Sequence, residues 1–158
     1  DLVLGDEAFV MVLENVEKPG NLGAVLRIAD GVGADAVLVT GEGTDLYNPN
    51  VLRASRGSFF TVPAVHCHVG EARDVLHDRG LKVLATTPAA DVTYTDADLT
   101  GSMAVVLGCE HEGLSEAWLK DEGCVAVRIP MQGRADSLNV STAAAVLMYE
   151  ALRQRSAR

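Results

Sequence analysis

Residues 129–143 read IPMQGRADSLNVSTA and join an apolar strand to an apolar helix through a polar loop. Pro130 ends the strand, and the helix begins within the Ser-Leu-Asn-Val-Ser run that starts at Ser137. The first N–H groups of a helix have no partner inside the helix, so they are available to a polar ligand. The side chains of Met131 and Leu138 are placed to cover an apolar ligand face. The junction therefore predicts a cofactor-binding site.

Apolar runs of strand length recur along the chain, and most are continuous, which is typical of parallel strands covered on both faces. They span residues 9–13, 36–40, 60–65, 82–86, 103–107 and 125–129, the last of which we expect to be buried. Helices are predicted between them, at 21–31, 49–55, 71–79, 114–122 and 138–155. This order predicts an α/β fold with a mainly parallel sheet flanked by helices.

Glycines follow three of the predicted helices, where a left-handed C-cap is useful. These positions are Gly31 or Gly33, Gly80 and Gly123. Neither Gly31-Val32-Gly33 nor residues 41–43 follows a strand and continues as GxGxxG, and GxxxxGK[ST] is also missing. These absences argue against a Rossmann dinucleotide site and a P-loop.

The composition indicates a single domain of 158 residues with 48% hydrophobic content. No apolar stretch approaches the roughly 18 residues of a membrane span, so we expect a cytoplasmic protein with no membrane contact. Cys67, Cys109 and Cys124 are odd in number and lack short paired spacings, which indicates free thiols. The net charge of −9 argues against a simple nucleic-acid binder unless basic side chains cluster locally.

Two further segments share the character of the junction. Residues 18–27 read KPGNLGAVLR and open a helix, and residues 107–115 read LGCEHEGLS and follow an apolar strand. In order and spacing, the three segments resemble the motifs of the SpoU/TrmH family of RNA ribose 2′-O-methyltransferases, within the SPOUT superfamily. The resemblance covers roughly residues 8–155. It implies S-adenosylmethionine as the cofactor and a C-terminal trefoil knot near residues 105–145.

The resemblance also implies which residues form the site. The cofactor-binding positions would be Leu107, Gly108, Glu110, Gly113, Ile129, Met131, Ser137, Leu138 and Asn139. The catalytic positions would be Arg27, Asn21, Glu110 and Asn139, with Arg27 sharing a face with the loop of Asn21. Since a guanidinium stays charged, we interpret Arg27 as holding a phosphate and stabilising the developing alkoxide. The proton acceptor remains open.

RNA contacts are expected from basic side chains near the motifs. These are Lys18, Arg27, Arg53, Arg56 and Arg134. The stretch RASRG at 53–57 resembles a family feature, although basic residues at a helix end are also favoured by the helix dipole. The resemblance further implies a homodimer in which Arg27 serves the partner's site. The resemblance favours ribosomal RNA over transfer RNA as substrate. It also implies that the whole chain is a catalytic domain, which an N-terminal RNA-binding domain could precede. An inactive knotted module that binds RNA or the cofactor is the alternative from another class.

Simpler roles remain open for several of these residues. Arg27 and Glu110 could be solvated surface charges, and Asn21, Ser137 and Ser141 could be helix N-caps. His66 and His68 alternate on a strand with no carboxylate or Cys pair beside them, so no metal site is expected. Helical spacing predicts several core positions. The last helix also has an apolar face that could pack against the core or form a dimer contact. The core positions are Trp118, Leu147, Met148 and Leu152, and the face comprises Val140, Ala144, Leu147 and Met148.

Overall fold

A computed structural model describes residues 2–157 and shows a seven-stranded sheet with five α-helices. The strands are β1 Phe9–Glu14, β2 Ala36–Thr40, β3 Ala64–Cys67, β4 Lys82–Thr86, β5 Val92–Thr93, β6 Met103–Leu107 and β7 Cys124–Arg128. The helices are α1 Pro19–Val32, α2 Pro49–Ser55, α3 Val69–Asp78, α4 Glu116–Leu119 and α5 Val140–Ser156. Short 3-10 turns lie at Ser58–Phe60 and Tyr94–Asp96.

The strand order is β3-β2-β1-β6-β4-β7-β5, and every pairing is parallel. The central register places Leu13 of β1 opposite Val39 of β2 and Leu107 of β6. The predicted α/β fold with a mainly parallel sheet is therefore confirmed, while the trefoil knot stays a prediction. Because all strands run the same way, their carboxyl ends share one edge of the sheet.

Two apolar cores lie on opposite faces of the sheet, because neighbouring strand residues point to opposite sides. Met11 of β1 belongs to the first core, together with residues of α1 and α5 such as Leu26 and Met148. Val12 belongs to the second core, which includes Trp118 of α4. The predicted core positions are confirmed at Trp118, Leu147 and Met148, which are fully buried, and Leu152 is partly buried against the first core.

The bounds of the strand predicted at 60–65 are wrong. Ser58–Phe60 forms a 3-10 turn instead, and β3 begins only at Ala64. Gly57 turns the chain with φ of 96°, and the Asp30 carboxylate accepts a hydrogen bond from the Ser58 hydroxyl at 2.9 Å. These local contacts hold a tight turn, and Pro63 has no N–H to donate to a sheet.

The helix predicted at 114–122 is also too long, since α4 has four residues. The Ser115 N–H and hydroxyl both bind Glu14 on β1, so the chain reaches Ser115 in an extended conformation. At the other end, Gly123 donates to the Asp121 carboxylate at 2.9 Å and turns the chain directly into β7. Local side-chain bonds therefore replace helical hydrogen bonds at both ends.

The glycine predictions hold in part. Gly33 and Gly80 adopt left-handed conformations with φ of 69° and 68°. Gly123 does not, and Gly31 lies inside α1, where an added Cβ would meet the Tyr149 hydroxyl. The expectation of a fully buried last strand is wrong, because β7 lies near the sheet edge and Val125 is 51% exposed. The two-residue strand β5 carries no sequence pattern long enough to predict.

Within residues 2–157, no helix is long and apolar enough to cross a membrane.

Candidate active site

The three motifs meet at the carboxyl edge of the sheet. The segment at 18–27 follows β1, the segment at 107–115 leaves β6, and the loop at 129–139 leaves β7. Only β4 separates β6 from β7, and β1 lies on the other side of β6. Open parallel sheets bind ligands in a crevice at this edge.

A cleft of about 390 Å³ lies there. Its lining includes eight of the nine predicted cofactor-binding residues: Leu107, Gly108, Glu110, Gly113, Ile129, Met131, Ser137 and Leu138. The ninth, Asn139, lies beside the cleft through its hydrogen bond to Glu110. Cleft volumes of roughly 300–1,000 Å³ are usual for small-molecule sites. The structure thus gathers residues from two motifs around one ligand-sized space.

The end of β4 also lines the cleft and was not predicted. Thr86, Thr87 and Pro88 contribute to its wall because β4 lies between β6 and β7. The Thr86 hydroxyl is buried and has no hydrogen-bond partner among residues 2–157. Strand order alone brings these residues to the site, and no local sequence signal gives that order.

Gly108 is required by the packing of the second motif. A Cβ at this position would overlap the carbonyl group of Gly113 and the backbone nitrogen of Leu114. The loop closes on itself through a hydrogen bond from the Gly113 N–H to the Cys109 carbonyl, at 3.0 Å, and Gly113 has φ of 66°. Both glycines are therefore needed for this compact loop.

Three predicted catalytic residues form one hydrogen-bond network. The Asn139 side-chain amide donates to Glu110 at 2.7 Å and to Asn21 at 3.2 Å. The Val140 N–H lies 3.4 Å from the same Glu110 oxygen, and the Lys18 ammonium lies 3.8 Å from the other one. The network joins all three motifs, although Asn21 and Asn139 are 118 positions apart.

These contacts settle the helix-cap alternatives. Lys18 occupies the N-cap position of α1, so Asn21 lies within the helix and is not its cap. Asn139 caps α5, because its side-chain oxygen accepts from the Ser141 N–H at 3.0 Å. Neither Ser137 nor Ser141 occupies the cap position, so those expectations are wrong.

Arg27 stands apart from this network. It is exposed, and its side chain makes no hydrogen bond or ion pair with any residue from 2 to 157. Six residues separate it from Asn21, which places the two about 120° apart around the helix. The expectation that Arg27 shares a face with the loop of Asn21 is therefore wrong, and Asn21 itself belongs to α1.

The other predicted RNA contacts lie on separate segments. Arg53 and Arg56 are exposed at the end of α2, where Arg53 donates to Asn50 at 2.7 Å. Arg134 is exposed on the loop before α5, and Lys18 lies beside Glu110. Of these four residues, only Lys18 directly adjoins the network of Asn21, Glu110 and Asn139.

Cys109 and His111 line the cleft, while other cysteine and histidine side chains in residues 2–157 lie away from it. All three cysteines are free thiols, as predicted, and burial raises the pKa of Cys67 and raises that of Cys124 to about 11. A ring nitrogen of His66 lies 3.1 Å from the Gly41 carbonyl oxygen, and the His68 N–H donates to Glu71. No group of three or more potential ligands for a metal ion occurs in this part of the chain.

The sequence model of the SpoU rRNA Methylase family matches residues 8–149. The chain belongs to the SpoU family. A relative from Pseudomonas syringae pv. tomato, the 23S rRNA (guanosine-2′-O-)-methyltransferase RlmB, is 40% identical over 151 residues, which cover 94% of this chain and 60% of RlmB.

Solved SpoU-type structures have the same fold. An RNA 2′-O ribose methyltransferase superposes with a TM-score of 0.90 at 49% identity, covering 98% of this chain and 59% of that protein. The SpoU methyltransferase AviRb from Streptomyces viridochromogenes, in complex with AdoMet, gives a TM-score of 0.92 at 34% identity, covering 99% of this chain and 64% of AviRb. The chain spans between 54% and 62% of the length of curated SpoU relatives that it matches.

Proposed function

We propose that the chain is the catalytic domain of an S-adenosylmethionine-dependent methyltransferase that modifies ribose 2′-hydroxyl groups of ribosomal RNA. The observation that carries this proposal is the position of Glu110. This residue lines both the cleft and a smaller polar pocket that also includes Asn21 and Lys18. A methyl donor in the cleft and a ribose 2′-hydroxyl in the pocket would meet at this shared wall.

The cleft suits S-adenosylmethionine in size and chemistry. Leu107, Ile129, Met131 and Leu138 supply apolar walls for an adenine ring. Glu110, Glu112 and Asp136 place carboxylates around the same space, where they favour the cationic sulfonium and ammonium groups. The bound cofactor would supply an electrophilic methyl group, and holding donor and acceptor together would account for much of the rate.

The network would orient the ribose. Asn139 holds Glu110 in place, and Asn21 presents its amide to the same pocket. Lys18 adds a positive charge beside Glu110 that favours a nucleotide phosphate. A module that only binds RNA or the cofactor has no evident need for this set, which supports catalysis over the inactive alternative.

We also propose a cytoplasmic homodimer in which Arg27 completes the site of the partner. Asn21, which belongs to the network of the same subunit, lies on another face of α1. The Arg27 side chain has no hydrogen-bond or ion-pair partner within residues 2–157. There it would hold a phosphate of the RNA and stabilise charge on the ribose oxygen. Arg53, Arg56 and Arg134 are proposed as further RNA contacts, and the proton acceptor is left open.

Calorimetric titration of S-adenosylmethionine tests the cofactor site. Leu138→Arg places a bulky cation against the cleft wall and should abolish binding without touching Arg27. Val125→Arg is the control, because Val125 is exposed on β7 and does not line the cleft. Binding by wild type and the control but not by Leu138→Arg supports the proposal, and equal binding by all three refutes the cleft assignment.

A further inference from the structure

Three aromatic side chains form a connected cluster beside α2, which we call the aromatic platform; its outer rings are exposed, and its central ring, Phe59, is partly buried against the first core. Tyr47 and Phe59 meet edge to face with ring centroids 5.7 Å apart, and Phe59 and Phe60 do so at 5.3 Å. Tyr47 is 70% exposed and Phe60 is 80% exposed. Exposed apolar clusters of this kind mark interaction sites on soluble domains.

The platform is held in place. The two Asp30 carboxylate oxygens accept hydrogen bonds from the Ser58 hydroxyl at 2.9 Å and from the Thr61 hydroxyl at 3.0 Å. These bonds fasten the turn that carries Phe59 and Phe60 to α1. The rings are therefore preorganised, which lowers the entropy cost of binding a flat partner.

Two arginine side chains beside the platform are available to an anionic partner. Arg53 and Arg56 are exposed on the same short segment and form no ion pair within residues 2–157. Asp45, on the segment that carries Tyr47, accepts a hydrogen bond from the Tyr47 N–H. Elsewhere on this acidic chain, several cations are neutralised by carboxylates, as in the pairs Arg73–Asp121, Lys82–Asp98 and Arg153–Glu150.

The platform also adjoins the proposed active site. The Thr44 N–H donates to the Val16 carbonyl at 2.9 Å, and the Thr44 hydroxyl donates to the Glu17 carbonyl at 2.9 Å. Val16 and Glu17 line the small polar pocket that contains Asn21. The loop that bears Tyr47 is thus tied directly to the wall of that pocket.

We propose that the aromatic platform stacks an unpaired base of the substrate RNA, while Arg53 and Arg56 bind the adjoining phosphates. Proteins read single-stranded RNA by stacking its bases on aromatic rings, and arginines supply the backbone contacts. The assignment rests on the proposed function. It deepens that function by specifying an unpaired segment near the methylated nucleotide, rather than a continuous duplex.

The test measures binding of a fluorescein-labelled 12-nucleotide oligouridylate at several salt concentrations. Phe60→Ala and Tyr47→Ala should each weaken binding by about 5- to 100-fold, because one stacked base is lost. The dependence of log affinity on log salt should keep its wild-type slope. Arg53→Gln and Arg56→Gln should instead make that slope shallower by about 0.7 each. Phe60→Trp should retain affinity.

Tyr149→Ala is the matched control, since Tyr149 is exposed on α5 and lies outside the platform. Unchanged affinity in Phe60→Ala would overturn the proposal, as would failure of the wild-type chain to bind the oligonucleotide at low salt. The remaining alternative is that a second copy of the chain covers the platform, and sedimentation velocity tests it. Conversion of a dimer to monomers by Phe60→Ala would support this alternative and overturn the proposal. Tight RNA binding without methyl transfer would overturn the proposed function and leave the platform standing.

Discussion

Glu14 and Ser115 are joined by two hydrogen bonds across 101 positions of sequence. The Glu14 carboxylate is 1% exposed and accepts from both the N–H and the hydroxyl of Ser115, each at 2.7 Å. The contact ties the end of β1 to the end of the loop that carries Gly108, Glu110 and Gly113. The end of β1 thus fixes the position of the second motif.

Glu14→Gln should lower the free energy of unfolding by about 1–3 kcal/mol, because the amide keeps only one acceptor oxygen for the two Ser115 donors, so one of them loses its partner in a buried site. Cofactor affinity should fall as well, since the loop loses its anchor. Urea denaturation and calorimetry measure the two effects. Glu42→Gln, at an exposed carboxylate, is the control. A Glu14→Gln protein as stable as wild type would show that the contact does not anchor the loop.

Asn139 combines two roles that different substitutions separate. Asn139→Asp keeps an oxygen to cap α5 but removes the amide donors to Glu110 and Asn21. We expect about 100-fold slower methyl transfer, because the ribose is no longer oriented, and a melting temperature lowered by repulsion between the new carboxylate and that of Glu110, although the cap of α5 is kept. Asn139→Ala should lose the same activity and about 1 kcal/mol of stability in addition.

The matched control is Asn48→Asp, at the N-cap of α2, where the side chain also accepts from a backbone N–H two residues ahead. It should leave both stability and activity close to wild type. Full activity in Asn139→Asp would remove the network from the mechanism.

Arg27 should act across the dimer. A heterodimer of one Arg27→Ala subunit and one Asn139→Asp subunit, purified through two different tags, contains one intact composite site. It should therefore have about half of the wild-type activity, although each homodimer is inactive. If Arg27 serves its own subunit, both sites of the heterodimer carry a defect. An inactive heterodimer would thus contradict the shared site.

Asp121 should make stability depend on acid pH. Hydrogen bonds from the His77 ring and the Gly123 N–H, together with the Arg73 guanidinium, hold the pKa of its carboxyl well below the usual range. A carboxyl whose pKa is depressed by folding stabilises the protein above its unfolded pKa of about 3.9 and loses this contribution as pH falls through the folded value.

Thermal melting of wild type and Asp121→Asn between pH 2 and 7 measures this contribution. Wild type should be more stable by a constant margin above about pH 5, and the margin should shrink below about pH 4. Asp78→Asn, at an exposed carboxylate near the end of α3, controls for the change in net charge. A margin that does not change in acid would show that the Asp121 carboxylate is not held by these partners.

The central strands follow directly from sequence, because β1, β2 and β6 are continuous apolar runs that both faces of the sheet bury. The edge strands cannot be predicted in this way. The bounds of β3 depend on the Asp30–Ser58 contact, which pairs residues 28 positions apart. The gathering of Asn21, Glu110 and Asn139 follows from the motif resemblance. Thr86 and Glu14 were missed because their roles depend on strand order and distant contacts.

Transfer of labelled methyl groups from S-adenosylmethionine to ribosomal RNA tests the central claim most directly. Alkaline hydrolysis then identifies ribose methylation, since a blocked 2′-hydroxyl protects the adjacent phosphodiester. Wild type and Val125→Arg should yield an alkali-resistant labelled dinucleotide, and Leu138→Arg should yield none. Label on a base, or equal labelling by the Leu138→Arg protein, would contradict the account.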